Sequence, residues 1–342
     1  MPTPVDLFHH RTLTGAINKI QPVPSFLLDR VFRTREQALS DTIDVDITVG
    51  GKKLAPFVTP IEEGIVVEKL GRAMQTVTAP RIRIKKNLNA KELLSERPLG
   101  GNVYVVGGDI NTWKEQKLAL QLQDIQARIR RTTEWMAAQA LKGVLTVNQP
   151  NLAFVIDFQL PDAHKPSLTS TERWSDTDDS DITGDIMDWK QLISAATGYS
   201  ATFAICGKNV PKYLLDNDKV RKLMDNRNMS VGQLAFENSN YIGRLVGVDI
   251  YMYDATYTDA AGVAQPYIPD DAFVLVATDG PFRLHYGLIY DLDERIASAN
   301  PYFAKSWIEK DPSLLWLLAE SRPLPVPHWP ECIVCATVHN AA

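Results

Sequence analysis

Cys332-Ile333-Val334-Cys335 has the C-x-x-C spacing that can seed a zinc site or a redox pair, since two thiolates so placed can reach one ion or each other. No second pair accompanies it, and Ala336-Thr337-Val338 continues it as an apolar run, so a terminal strand is expected. The acidic run Asp176-Thr177-Asp178-Asp179-Ser180-Asp181 has the carboxylate density of a calcium loop. Its sixth position is not glycine and its twelfth is Met187 rather than glutamate, which points to a solvated loop. His9, His10, His164, His285, His328 and His339 show no ligand spacing, and His285 in Arg283-Leu284-His285-Tyr286 reads as a strand residue rather than a general base. Gly100-Gly101 and Gly107-Gly108 mark turns, because no lysine or acidic partner stands at the offset a phosphate or dinucleotide loop needs. Walker, H-E-x-x-H and G-x-S-x-G patterns are absent. The expectation is a protein without catalytic residues, cofactor or metal.

The residues whose spacing suggests a surface task are cations. In Arg81-Ile82-Arg83-Ile84-Lys85 a period of two puts three cations on one face of a strand and two isoleucines on the other. With Lys69, Arg72 and Trp135 they form the candidate subunit-contact set. An acidic protein surface is the expected partner of the cations, with a plain solvated edge as the alternative. Nucleic acid ranks last, because no aromatics interleave with them as stacking platforms.

These residues need elements to place them. Leu118, Leu122, Ile125, Ile129, Thr132, Met136 and Ala140 recur at steps of three and four and predict an amphipathic helix over Ile110 to Lys142, roughly 50 Å long. Asp109 can cap its start and Gly143 its end. Arg128, Arg131 and Asp124 lie off that stripe, and so do Trp113 and Trp135, which require a second packing surface. That surface is the rest of the same chain or another subunit. Before the helix, Lys52 to Asn87 has strand-like runs at 54–59, 65–69, 74–78 and 82–86, with Leu70-Gly71-Arg72 as the expected turn. A two-stranded ribbon of that kind has little core of its own and gains burial only by lying on something else. Met1 to Asp41, punctuated by Pro2, Pro4, Pro22 and Pro24, reads as an extended arm with a short helix near Phe26 to Phe32.

After the helix come strands near 144–147 and 152–158 and a polar loop over 161–181. An alternating α/β block follows over about 184–280: helices at 186–196, 211–215 and 219–224, strands at 202–206, 248–253 and 272–277. Strand-like runs return at 303–308, 314–319 and 333–338, the last matching the texture of 144–158. The 342 residues, 45% hydrophobic and 23% charged, can bury a substantial core in two or more domains. A formal net charge of -5 argues against a protein whose main task is to grip nucleic acid. No apolar run reaches about 18 residues and Met1 to His10 lacks a signal-peptide pattern, so a soluble protein not secreted by that route is expected. Three cysteines make no disulfide framework, in keeping with a reducing cytoplasm.

The order of parts resembles the major capsid proteins of tailed bacteriophages, specifically the lambda-type phage major capsid protein E family. The resemblance rests on Phe26-Leu27-Leu28 through Phe32-Arg33, Val58-Thr59-Pro60-Ile61 with Gly64, and Ala140-Leu141-Lys142-Gly143. Further on it rests on Trp174-Ser175, Tyr267-Ile268-Pro269-Asp270, Lys305-Ser306-Trp307, Asp311-Pro312 and Arg322-Pro323-Leu324-Pro325, in order over about 26–338. It implies the α+β fold shared by tailed-phage and herpesvirus capsids. Residues 1–45 are then an N-terminal arm and 46–100 an extended β-hairpin loop lying over the next subunit. Residues 101–183 and 281–342 form a peripheral domain with spine helix 110–142, and 184–280 an axial domain. The implied function is self-assembly into hexamers and pentamers of an icosahedral shell around viral double-stranded DNA, in the virion, after assembly in the host cytoplasm. Implied partners are further copies, a separate scaffolding protein (the arm has no coiled-coil heptads), a portal protein, and packaged DNA through weak contacts. Family members differ in covalent cross-linking and in use of a decoration protein. The alternative is an encapsulin-like compartment of the same fold around an enzyme cargo.

Overall fold

A computed structural model describes residues 8–21, 25–38, 40, 42–49, 71–89, 110–149, 152–225, 232–238, 240–259, 261–293, 296–311 and 313–340. The chain divides into two units: Met1–Ile43, Thr76–Met136 and Arg283–Pro325 form the first, and Asp44–Gln75, Ala137–Phe282 and Val326–Ala342 the second. Among the described residues no helix is long and apolar enough to cross a membrane.

Where the arm reads as extended, the first described element is a helix, α1 (His10–Lys19), and the short helix expected near Phe26 follows it as α2 (Phe26–Arg30). Leu13 and Ile17, four apart and both buried, give α1 its inner face. Two apolar positions are too few to register as a periodic signal, which is why the sequence alone reads as extended there. Strands β1 (Thr34–Gln37), β2 (Thr42–Val49), β3 (Gly71–Thr78) and β4 (Ile82–Asn89) follow. β2 and β3 pair as a two-stranded sheet, so Gly71 and Arg72 open a strand instead of forming the expected turn. The runs at 54–59 and 65–69, the paired glycines at 100–101 and 107–108 and the Asp109 cap lie outside the described residues.

The predicted long helix is α3 (Ile110–Leu141). Its buried stripe runs through Leu118, Leu122, Ile125 and Ile129, then through Thr133 to Met136 and Ala140; Thr132 is exposed. A period of 3.6 permits a step of three or four, and packing selected the step of four. Gly143 ends the helix with φ of 91°, and a Cβ there would stand 2.6 Å from the Leu160 Cβ, so both conformation and space require glycine. Next come β5 (Val144–Gln149), β6 (Leu152–Asp157), α4 (Ile182–Thr197), β7 (Phe203–Cys206), α5 (Val210–Asp216) and α6 (Asp218–Asp225). Strands complete the chain: β8 (Gly232–Asn238), β9 (Tyr241–Leu245), β10 (Val248–Met252), β11 (Thr256–Thr258), β12 (Ala264–Pro266), β13 (Ala272–Val276) and β14 (Phe282–Tyr286). The last are β15 (Ile289–Asp291), β16 (Ile296–Ser298), β17 (Phe303–Glu309), β18 (Leu314–Ser321), β19 (Pro323–Pro327) and β20 (Ile333–Thr337).

In the first unit, α1 and α3 pack on one face of an antiparallel sheet ordered β17-β18-β4. Leu13, Ile17, Leu118, Leu122, Ile125 and Ile129 fill the layer, each burial stabilising by about 1.5–3 kcal/mol. Ala304 and Ala319 face each other in register, and their small side chains leave room for the helices. β17 is an edge strand whose backbone α1 covers: Thr14 Oγ1 donates to the Ala304 carbonyl at 3.1 Å and accepts from its N–H at 3.0 Å. β4 therefore belongs to a buried sheet and not to the lone ribbon that its neighbours in sequence suggested. β1 runs parallel to β14, and the proline-rich β19 takes the other edge of that sheet, where missing N–H groups cost least.

The second unit is built on a six-stranded sheet ordered β20-β13-β7-β10-β9-β8, with β7 and β10 parallel and the other pairs antiparallel. β20, which by texture goes with residues 144–158, pairs with β13. Trp174, Trp189 and Phe273 cluster with ring centroids 5.0–5.9 Å apart, and Trp174 Nε1 donates to Asp185 Oδ2 at 2.8 Å. The acidic run has local structural roles: Asp176 Oδ1 accepts from the Asp178 and Asp179 N–H groups, and Asp181 caps α4 through the Gly184 N–H. Cys332 and Cys335 are free thiols whose pKa values burial pushes up to about 12 and about 11, far from reactive thiolates.

Candidate subunit-contact surface and the anchored arm

The alternation read from the sequence is realised in β4, where Arg83 and Lys85 are exposed and Ile82 and Ile84 turn toward the core. The cations, however, have partners in their own chain. Arg81 Nη2 donates to Glu320 Oε2 at 2.6 Å, and Arg83 Nε stands 3.6 Å from the same oxygen. Glu320 is opposite Arg83 in the β18 register and only 1% exposed, so these guanidinium groups neutralise a buried carboxylate. Lys85 Nζ sits 3.5 Å from the Trp316 ring centroid and 5.0 Å from that of Trp307, over two stacked indoles. Aromatics thus do stand beside the cations, supplied by β17 and β18. A linear reading of residues 81–85 could not see them.

On the opposite face Lys86 pairs with Asp124 of α3 and donates to Gln121 at 2.8 Å, tying the strand to the spine. The hydrogen bond from Lys86 to Asp124 holds the Asp124 carboxyl below its usual range against the effect of burial, with Arg128 at 3.0 Å contributing. Of the remaining candidates, Arg72 belongs to β3, Trp135 is half-buried on α3, and Lys69 lies outside the described residues. The structure therefore gathers Arg81, Arg83 and Lys85 into one patch. His285 is a strand residue, its Nδ1 3.5 Å from Glu36 Oε2, beside the 2.6 Å Arg283–Glu36 pair.

Three residues that the sequence reading passed over form a second cluster. Gln126, Arg130 and Glu134 stand four apart on α3 and are all buried. Gln126 Nε2 donates to the carbonyls of Ile17 and Ile20 at 2.9 and 3.2 Å, closing the C-terminal end of α1. Arg130 grips the Asp29 carboxylate through two hydrogen bonds of 2.7 and 2.9 Å and donates to Ser25 Oγ at 2.7 Å. Glu134 accepts from the N–H groups of Leu27 and Leu28, at the positive end of α2. The arm is thus fastened to the spine by charged and amide groups whose partners would otherwise be unsatisfied. The spacing of large polar residues beside the apolar stripe is the one sequence signal that could have found them.

Comparison with known proteins extends this geometry. The chain is 24% identical over 344 residues to the major capsid protein of Enterobacteria phage P21, covering 94% of this chain and 96% of that protein. The same values relate it to the P21 prophage-derived major head protein of Escherichia coli O6:H1 strain CFT073. A solved prophage capsid protein structure from E. coli CFT073 matches with a TM-score of 0.71 at 18% identity, over 97% of this chain and 99% of that one. A phage-related protein from Bordetella bronchiseptica RB50 gives 0.57 at 11% identity, over 97% of each chain. These likenesses identify the α+β fold as that of tailed-phage major capsid proteins, a structural family. The family model for phage major capsid protein E matches residues 9–338, nearly the whole chain, and the chain belongs to that family.

Proposed function

We propose that this phage major capsid protein assembles into the hexamers and pentamers of an icosahedral shell that encloses double-stranded DNA. The observation that carries the proposal is the family match over residues 9–338. Residues 184–280, whose sheet β20 completes at one edge, serve as the axial domain at capsomer centres, and 101–183 with the rest of 281–342 as the peripheral domain. Within the loop 46–100, the β2–β3 ribbon laps a neighbouring copy, because a two-stranded ribbon needs outside burial, while β4 stays in the sheet of its own chain. Arg81, Arg83 and Lys85 lie at that contact with Lys69, Arg72 and Trp135, and an arginine, lysine and tryptophan patch suits an interface core. A net charge of -5 keeps wall-to-DNA attraction weak, so the genome can leave. A separate scaffolding protein and a portal protein are the expected partners during assembly in the host cytoplasm, and the virion is the destination.

Electron microscopy and sedimentation of the chain expressed with and without its neighbouring genes test the proposal. Closed shells, or capsomers that close when scaffold is supplied, are the expected result. A clean monomer under every condition, scaffold included, would sink it.

A further inference from the structure

The polar loop over 161–181 does more than join β6 to α4. It lies along β20, the outermost strand of the six-stranded sheet, and takes up hydrogen bonds that the edge would otherwise leave open. Leu168 N–H donates to the Thr337 carbonyl at 2.9 Å, Thr337 N–H to that of Pro166 at 2.9 Å, and Trp174 N–H to that of Val338 at 3.0 Å. At one end His164 Nδ1 stands 2.7 Å from the Ile333 carbonyl oxygen. At the other, the fully buried Asn217 donates to Ser180 Oγ at 2.9 Å. The loop is a strap over a sheet edge, tied down at both ends.

Its middle is held by a polar latch. The Trp174 indole is fully buried and donates from Nε1 to Asp185 Oδ2 at 2.8 Å. That acceptor is badly placed for a charge. Asp181, Asp185 and Asp188 follow at steps of four and three along the start of α4 and lie on one side of it, and Glu172 adds a carboxylate from the strap. Burial pushes the Asp185 carboxyl above its usual range; the Trp174 bond opposes this, and Asp181, Glu172 and Asp188 add to it. The strap's cations are Lys165, paired with Asp162 at 3.2 Å, and Arg173; from α6, Lys219 Nζ donates to the Asp179 carbonyl at 2.9 Å.

We infer that residues 161–181 form a proton-sensitive strap, which stays latched over the β20 edge while Asp185 carries a proton and opens more readily once Asp185 is ionised. When the strap lifts, an ionised Asp185 gains water and is relieved of the Glu172 charge, so ionisation favours the open form. A group raised in the folded state gives stability that is complete below the ordinary carboxylate value of 3.8 and is lost as pH rises through the raised one. The edge is therefore best sealed in acid and most accessible toward neutrality, where a freed β20 offers its backbone groups to another strand.

Hydrogen exchange of the full chain at about pH 4 and about pH 7, corrected for intrinsic rates, tests this at the Leu168, Trp174 and Thr337 amides. In wild type the opening constant should be at least about threefold larger at the higher pH. Asp185→Asn keeps the shape and acceptor of the latch without its charge, so it should hold the low-pH protection at both values. Glu172→Gln with Asp188→Asn, both at exposed positions, removes two repelling carboxylates and should shrink the wild-type effect in part. His164, and His339 at 2.9 Å from Ser175 Oγ, are common to all these chains, so the difference isolates Asp185. Equal protection of wild type at the two pH values overturns the inference. So does an undiminished pH effect in Asp185→Asn, or in the double variant should Asp185→Asn fail to fold, because the sensitivity then belongs to another group.

Discussion

Glu134 of the spine helix accepts a 2.7 Å hydrogen bond from the backbone N–H of Leu27, so a carboxylate in one helix caps the first turn of another 107 residues away. With the 3.1 Å bond from Leu28, two otherwise unsatisfied N–H groups find a buried charged acceptor. Glu134→Ala should therefore destabilise the first unit by about 2–4 kcal/mol, the cost of stranding two donors. Glu134→Gln, which keeps one carbonyl oxygen, should lose less. Urea denaturation of both variants checks this; equal stability of wild type and Glu134→Ala would show that water replaces the carboxylate at no cost.

The Arg81–Glu320 pair changes what charge reversal in β4 does. If the cations met only a neighbouring subunit, reversing them would spare the fold. With Glu320 buried beneath them, Arg81→Glu with Arg83→Glu gathers three carboxylates at one site, and removing the partners of a buried charge costs about 3–5 kcal/mol. Partial exposure of both arginines brings the expected loss toward the lower end of that range. Lys85→Glu should cost only about 0.5–1 kcal/mol, for an exposed cation over partly exposed indoles. Chemical denaturation of the free subunit separates the two, and only Lys85→Glu should yield a folded subunit whose assembly can be read cleanly.

Ile129 lies in the buried stripe at the centre of the helix-on-sheet layer. Ile129→Pro removes a backbone hydrogen bond and adds a ring clash, at about 3 kcal/mol or more before the lost packing is counted. Folded subunit should be lost together with assembly, measured as the soluble fraction and its far-ultraviolet circular dichroism. Normal shells from this variant would mean that continuity of the spine is dispensable.

Burial pushes the Tyr286 phenol up to about 12, and Tyr302 is raised for the same reason. A raised folded-state pKa favours the protonated form, so this contribution is complete below the unfolded value near 10 and is lost as pH rises toward 12. Two units correspond to ~2–3 kcal/mol for Tyr286. Wild type should lose stability more steeply than Tyr286→Phe between these limits, followed by denaturation at stepped pH with tyrosinate absorbance as the second readout. Parallel curves would show that the phenol is solvated in the folded state.

The sequence by itself determined the elements whose signal is local. The spine helix was legible because burial recurs every three or four residues. The inward isoleucines of β4 were legible because a strand alternates, and Gly143 because a helix end needs a left-handed residue. In the α/β block the helices and the strands β7, β10 and β13 were legible to within a few residues for the same reason, whereas β8, β9, β11 and β12 were not read. Only the tertiary structure decided partners. Arg81 meets Glu320 across 239 positions, Lys85 meets Trp316 from another strand, and β4 pairs with β18 instead of its neighbours in sequence. α1 has two inward residues and β19 three prolines, so each depends on a sheet edge to receive it. Gln126, Arg130 and Glu134 look like ordinary surface residues of a helix until the arm arrives to be bound. Periodicity records which face of an element is buried, but the identity of the group that buries it is set by long-range packing, which no local pattern encodes.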